Sequence, residues 1–167
     1  QADLQHAVSI IHKIAEENGI INLPPVGALV ETPAAVFAID EILANCDFIS
    51  IGTNDLTQFV LAADRNATAL IDDYTILHPS VLRAVQRVIT AADGAGKSAT
   101  ICGEAAADPR VACLLVGLGA RRLSMNPVSA AQVRYAVRAA RKDSLEQLAQ
   151  AALTSDSTQT VSTLVSD

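Results

Sequence analysis

The chain has 167 residues, 50% of them hydrophobic, and a formal net charge of −6 at pH 7. This composition is sufficient for one domain with a substantial core, and it excludes disorder over most of the chain. Aromatic residues make up only 3% and the chain is acidic, so we expect neither a nucleic acid nor a membrane as a partner.

The first part of the chain predicts a helix followed by one strand–helix unit. Pro24-Pro25 separates the two, and the apolar strand VGALVE ends at Glu31. Thr32 can cap the next helix, with Pro33 at its first position. One face of the opening helix carries Leu4, Ala7, Val8, Ile11, Ile14 and Ala15, and Gly19 ends the helix.

Three more apolar segments are predicted to be strands. They are FISIGT from residue 48, SATICGE from residue 98 and RRLSMNP from residue 121. Helices are predicted near Asp55, over residues 79–92, after a cap at Asp108 and, following the last strand, after a cap at Ser144. Unbroken strands rich in Val, Ile and Leu, separated by helices, favour a parallel sheet whose faces are covered.

Polar residues follow each predicted strand directly, which is where a (β/α)8 barrel places its active site. Such a barrel needs eight strands and roughly 250 residues, whereas this chain supplies four strands and a leading helix. We therefore predict an α/β fold that forms the second half of a TIM-type (β/α)8 barrel, about strands 5 to 8, over residues 1–153. Residues 154–167 are expected to be a tail that is frayed or begins another helix.

Glu31 and Asp55 are the candidate metal ligands. Each could instead be an ordinary acid at a helix start, where it interacts with the helix dipole or caps the helix. Two carboxylates at adjacent strand ends repel each other unless a positive charge lies between them. Because Mg²⁺ and Mn²⁺ prefer oxygen ligands, and magnesium typically takes one or two protein carboxylates, the pair predicts a divalent metal site.

An anionic ligand is expected beside this pair. Gly52 lies three residues before Asp55, and its missing side chain would let backbone N–H groups approach a phosphate or carboxylate. Residues 1–65 contain nine acids and only two basic residues, so Arg65 is the candidate for a forked contact to phosphate. The rival interpretation is that Arg65 pairs with the aspartate beside it.

The three cysteines have no metal-binding spacing, and their odd number suits a reducing, cytoplasmic compartment. Free cysteines are usually inert core residues, and this is the role expected of Cys46 and Cys113. Cys102 differs because it ends a strand before Gly-Glu, where a thiol could donate a proton to a carbanion or enolate. Glu104 is expected to orient its neighbours rather than to bind metal.

Four segments together make the sequence recognisable. VGALVETPAAV, DFISIGTNDLTQFVLAADR, ATICGEAAADP and LLVGLGARRLSMNP strongly resemble the phosphoenolpyruvate (PEP)-binding barrel of enzyme I, the PEP-protein phosphotransferase. The run GTNDLTQ with LAADR and CGE is highly specific for the PEP-utilising superfamily. LAADR, CGEAAAD and GLGARRLSM favour enzyme I within it. The resemblance covers residues 26 to about 153.

The resemblance implies a Mg²⁺ ion, or Mn²⁺ in its place, held by Glu31 and Asp55. It also implies that Cys102 protonates the enolate carbon to yield pyruvate. The residues implied at the substrate phosphate are Asn54 and Arg65, with Gly52 and Thr53 lining the same pocket through their backbones.

By the same resemblance, the reaction is phosphoryl transfer from PEP to a histidine of another domain, and onward to a phosphocarrier protein of the sugar phosphotransferase system. Without that histidine and the first four strands, we expect the chain alone to have little turnover. A homodimer is expected, because enzyme I dimerises through this barrel and a half sheet exposes two edges. The alternatives are a fragment of pyruvate phosphate dikinase or PEP synthase, or a non-catalytic half barrel.

Overall fold

The structure, a computed structural model, describes residues 2–63 and 75–166. Within these ranges the chain forms one sheet of four parallel strands in the order β1-β2-β3-β4. The strands are β1 (Gly27–Val30), β2 (Phe48–Gly52), β3 (Ser98–Cys102) and β4 (Arg122–Leu123). Each strand pairs with the next one along the chain. The predicted succession of four strand–helix units is therefore confirmed.

Helices precede the first strand and follow every strand. They are α1 (Ala2–Glu17), α2 (Pro33–Phe37), α3 (Ile39–Leu43), α4 (Thr53–Leu61), α5 (Pro79–Gly94), α6 (Pro109–Gly117), α7 (Pro127–Ala139), α8 (Lys142–Thr154) and α9 (Thr158–Ser166), with a 3-10 helix at Glu104–Ala107. Among the helices of the described ranges, none combines the length and apolar character needed to cross a bilayer.

The helix starts follow the predicted caps in two cases and depart from them in one. Thr32 Oγ1 accepts a hydrogen bond from the backbone N–H of Ala35 at 3.2 Å, and Asp108 caps α6 in the same way. The start predicted at Ser144 was wrong, because α8 begins at Lys142. Ala140 and Arg141 are extended and connect α7 to α8, so Ser144 lies inside the first turn of α8.

The sheet has one covered face and one open face. Ile49, Ile51 and Ile101 are fully buried in the core that the sheet shares with the helices. Because side chains alternate along a strand, the residues between them point to the opposite face. On that face Leu29 is 52% exposed. The open face corresponds to the interior of a barrel, and its carboxyl-end edge is where the candidate site lies.

Candidate functional site

Four residues form one row across the open face at the carboxyl ends of the strands. Gly52 pairs with Cys102 in the sheet register. Glu31 and Ser124 directly follow the last residues of β1 and β4, and they continue the same register on either side. Neighbours across a parallel ladder point to the same face. The row therefore places the carboxylate of Glu31, the side-chain-free Gly52, the thiol of Cys102 and the hydroxyl of Ser124 next to one another.

The Glu31 carboxylate lies over Gly52. A Cβ atom built on Gly52 would be 3.1 Å from Glu31 Oε2 and 3.2 Å from Glu31 Cβ. Any larger residue at position 52 would push the Glu31 side chain away from β2. Asp55 stands in the first turn of α4, three residues after Gly52, so both candidate metal ligands lie at the carboxyl ends of the neighbouring strands β1 and β2.

The donor set at this point suits a hard divalent cation. Within residues 2–63 and 75–166, no group of three or more His, Cys, Asp or Glu side chains comes close enough to hold a metal. A cation held by both Glu31 and Asp55 would have two carboxylates from the protein. Magnesium tolerates such a small protein ligand set, since water and substrate oxygens complete its octahedron.

Thr53 anchors the start of α4 to the end of β3. Its side chain is only 1% exposed, and its Oγ1 donates a hydrogen bond to the carbonyl oxygen of Cys102 at 2.9 Å. The hydroxyl of Thr57 donates to the carbonyl oxygen of Thr53 at 2.7 Å. Because the Thr53 hydroxyl bonds to the backbone of Cys102, the Thr53 side chain holds the ends of β2 and β3 together.

Asn54 contacts the next strand end through its side chain. Its Nδ2 donates a hydrogen bond to Glu104 Oε2. A cavity of about 490 Å³ opens beside this pair, and its polar lining comes from Thr53, Asn54, Thr57, Thr75 and Glu104. A cavity of this size accommodates a small ligand.

The surroundings of Cys102 favour the protonated form of its thiol. Its Sγ donates a hydrogen bond to the carbonyl oxygen of Ile51 at 3.2 Å. Burial raises the pKa of the Cys102 thiol, the negative charge of Glu31 raises it further, and a backbone hydrogen bond offsets part of the increase. Since only a thiolate is a strong nucleophile or metal ligand, this environment disfavours both of those roles and leaves Cys102 with a proton to donate.

The structure brings together some of the predicted residues and adds others. Glu31 and Cys102 share the row across Gly52, whereas Arg65 lies outside the described residues. Ser124 was predicted only as one of the polar residues that directly follow a strand, without a role of its own, and the register places it in this row. The contact between Asn54 and Glu104 was also missed, because nothing local in the sequence indicates a bond across 50 residues.

Gly103 allows the end of β3 to approach α4. Its φ is +116°, and a Cβ atom there would overlap Thr53 Oγ1 and lie 3.0 Å from Asn54 Oδ1. We expect Gly103→Ala to lower the free energy of unfolding by about 3 kcal/mol, since backbone strain of roughly 1–3 kcal/mol adds to the loss of the partly buried hydrogen bond from Thr53 to Cys102. Thermal unfolding should show a fall in Tm of about 6–12 °C.

Gly96→Ala is the matched control. Gly96 also has a positive φ, +67°, but nothing lies within 4 Å of a Cβ atom placed there. This variant should therefore show only the cost of a left-handed backbone, about 1–2 kcal/mol. Equal losses of stability in the two variants would show that the close approach at Gly103 contributes nothing.

Comparisons with known proteins show the family of the chain. The family model described as the PEP-binding domain of PEP-utilising enzymes matches residues 2–142. A relative from Escherichia coli (strain K12), named "Phosphoenolpyruvate-dependent phosphotransferase system", is 43% identical over 130 residues, which are 78% of this chain and 17% of that protein. A "Phosphoenolpyruvate-protein phosphotransferase" from Haloferax volcanii is 45% identical over 123 residues, 73% of this chain and 22% of that protein. The chain thus spans less than a quarter of either relative.

A solved structure shares the fold. The crystal structure of a citrate lyase from Burkholderia xenovorans LB400 matches with a TM-score of 0.60 and 21% identity, covering 95% of this chain and 56% of that chain. At this level of identity the likeness concerns the fold alone. Together with the strand order, it confirms the predicted α/β fold as the second half of a TIM-type barrel.

Proposed function

The chain belongs to the family of PEP-utilising enzymes by its PEP-binding domain, and we propose that it is the part of a PEP-protein phosphotransferase that binds PEP together with Mg²⁺. One observation supports this most strongly. The Glu31 carboxylate lies over Gly52, in the same row as the neutral Cys102 thiol, at the carboxyl ends of the strands. A carboxylate and a proton donor side by side are what an enolate-forming phosphoryl transfer requires.

In this proposal Glu31 and Asp55 hold the metal ion, Mg²⁺ or Mn²⁺. Both supply oxygen ligands, and the absence of a side chain at Gly52 gives the Glu31 carboxylate its room. When bound, the ion supplies positive charge beside the transferring phosphoryl group, where negative charge is concentrated.

Asn54 and Arg65 are proposed to hold the phosphoryl oxygens of PEP. Asn54 lies in the first turn of α4 beside Asp55, and its amide nitrogen is a donor suited to an anion. Arg65 is assigned from the sequence, as a guanidinium able to make two parallel hydrogen bonds to phosphate. Gly52 and Thr53 contribute backbone at the same end of β2.

The reaction then divides between this chain and another domain. The phosphoryl group leaves the enol oxygen of PEP as a histidine nitrogen attacks in line, so a P–O bond breaks and a P–N bond forms. The product on this side is the enolate of pyruvate. Cys102 gives its S–H proton to the enolate carbon, forming a C–H bond, and the thiolate regains a proton from solvent. The raised pKa keeps this proton in place at neutral pH.

This half barrel provides only part of a complete active site. In the described sheet, β1 and β4 each pair on one side only, and Leu29 of the open face is half exposed. We propose that the rest of a longer cytoplasmic protein supplies the other strands and the phosphohistidine domain. A phosphocarrier protein would accept the group, and the barrel would form a homodimer. The chain by itself would then have little turnover.

Calorimetric titration of PEP into the chain tests the proposal. With Mn²⁺ present we expect saturable binding of PEP, because the metal offsets the repulsion between the substrate and the carboxylates. With a chelator in place of Mn²⁺ this binding should be lost. With Mn²⁺ present, pyruvate, which lacks the phosphate, should bind much more weakly than PEP. Equal affinity for PEP with and without metal would contradict the proposal.

A further inference from the structure

We propose that Glu104 is a positioning residue for Asn54, which fixes the side-chain amide of Asn54 so that its NH₂ group, and not its oxygen, faces the phosphoryl group of PEP. This inference rests on the proposed function and deepens it, because it assigns a task to a carboxylate that would otherwise repel an anionic substrate.

Two parallel links join the start of α4 to the end of β3. Asn54 Nδ2 donates to Glu104 Oε2, and the preceding residue, Thr53, donates to the carbonyl oxygen of Cys102 at 2.9 Å. Consecutive residues of α4 therefore contact the two residues that flank Gly103. This pattern holds the Asn54 side chain against the turn at residues 102–104.

Gly103 lies beside the side-chain oxygen of Asn54. A Cβ atom on Gly103 would lie 3.0 Å from Asn54 Oδ1, so the amide oxygen rests against the glycine while the nitrogen meets Glu104. The turn Cys102-Gly103-Glu104 thereby contacts both ends of the Asn54 side chain. Its φ of +116° at Gly103 is a conformation that favours glycine.

The chemistry of the two groups explains why the orientation matters. An asparagine amide can rotate by 180° and offer either oxygen or nitrogen to a ligand. An ionised carboxylate only accepts hydrogen bonds, so Glu104 selects the nitrogen. Nδ2 carries two hydrogens; Glu104 accepts one, and we assign the other to a phosphoryl oxygen. The reversed amide would direct an oxygen at the phosphate and repel it.

Glu104 could act in two other ways, which predict different results. As a metal ligand, its loss would weaken the binding of Mn²⁺ in the absence of substrate. As a purely repulsive charge, its loss would strengthen the binding of PEP. As a positioning residue, its loss weakens PEP binding only while Asn54 is present.

The test is calorimetric titration of Mn²⁺ alone, and of PEP with Mn²⁺, into a set of variants. Glu104→Ala should weaken PEP binding about tenfold, the value of one hydrogen bond to a charged group, with unchanged affinity for Mn²⁺. Glu104→Gln retains an acceptor oxygen and should stay within about threefold of wild type. Glu146→Ala, which removes an exposed acid paired with Lys142 on α8, should match wild type.

The double variant Asn54→Ala with Glu104→Ala should bind PEP as Asn54→Ala alone does, because the two residues act as one unit. Additive losses would overturn the positioning role, as would weaker Mn²⁺ binding or tighter PEP binding in Glu104→Ala. If wild type does not bind PEP at all, the proposed function itself is wrong.

The contact also has a readout that needs no substrate. The side-chain amide resonances of Asn54, assigned by their absence from the ¹⁵N–¹H spectrum of Asn54→Ala, should shift in Glu104→Ala and remain in place in Glu146→Ala. Unshifted resonances in Glu104→Ala would overturn the inference whatever the binding data show.

Discussion

Cys102→Ala should slow pyruvate formation by about 10²–10⁴-fold, the usual contribution of a positioned general acid, in a longer protein that carries the whole barrel and its phosphohistidine domain. The variant removes the proton donor for the enolate carbon and leaves the carboxylates and Asn54 in place. PEP binding measured by calorimetry should therefore remain within about twofold of wild type.

The pH dependence follows from the environment of the thiol. Burial raises the pKa of the Cys102 thiol, so the donating, protonated form is present at neutral pH and is lost on the alkaline side. A metal ion bound to Glu31 would offset the further increase that the Glu31 charge causes. Pyruvate formation should stay level through neutral pH and fall on the alkaline side. Cys113→Ala, which removes a thiol on α6, is the control and should behave as wild type. Normal turnover in Cys102→Ala would rule out the proton-donor role.

The fold could be predicted from the sequence because its strands are buried on the helix side. Continuous apolar runs such as FISIGT are typical of strands covered by helices, and Ile49 and Ile51 are indeed fully buried. The start of α8 was mispredicted because a capping residue itself has non-helical dihedral angles, whereas Ser144 lies within a helix that begins at Lys142. The short connection from α7, and not the capping preference of Ser144, sets the start of α8.

The sequence predicts which candidate site residues lie at the end of each strand, but it does not predict the contacts between them. Glu31 and Cys102 could be identified because each directly follows or ends an apolar run. Their alignment through Gly52 depends on strand register, which the sequence alone does not specify. The bond from Asn54 to Glu104 depends further on the unusual backbone at Gly103, so the contacts within the site emerge only from the folded chain.

Asp55→Ala is the variant with the largest expected effect on ligand binding. If Asp55 is one of two protein carboxylates on the metal, its removal should weaken Mn²⁺-dependent PEP binding by at least about 100-fold, because so small a protein ligand set cannot compensate for the loss. As a helix-start acid alone, Asp55 would contribute only about 0.3–1 kcal/mol through the helix dipole. As a metal ligand, Asp55 is therefore needed for PEP binding, whereas as a helix-start acid it contributes only to the stability of α4.

Asp40→Ala provides the matched control, since Asp40 is an exposed acid in the first turn of the short helix α3. Both variants lose a first-turn carboxylate, so both should show similar small changes in Tm. The most direct measurement is calorimetric titration of wild type, Asp55→Ala and Asp40→Ala with PEP in the presence of Mn²⁺. We predict that Asp40→Ala binds as wild type does and that Asp55→Ala does not bind measurably. Unchanged, metal-dependent PEP binding in a folded Asp55→Ala variant would contradict the assignment of the site.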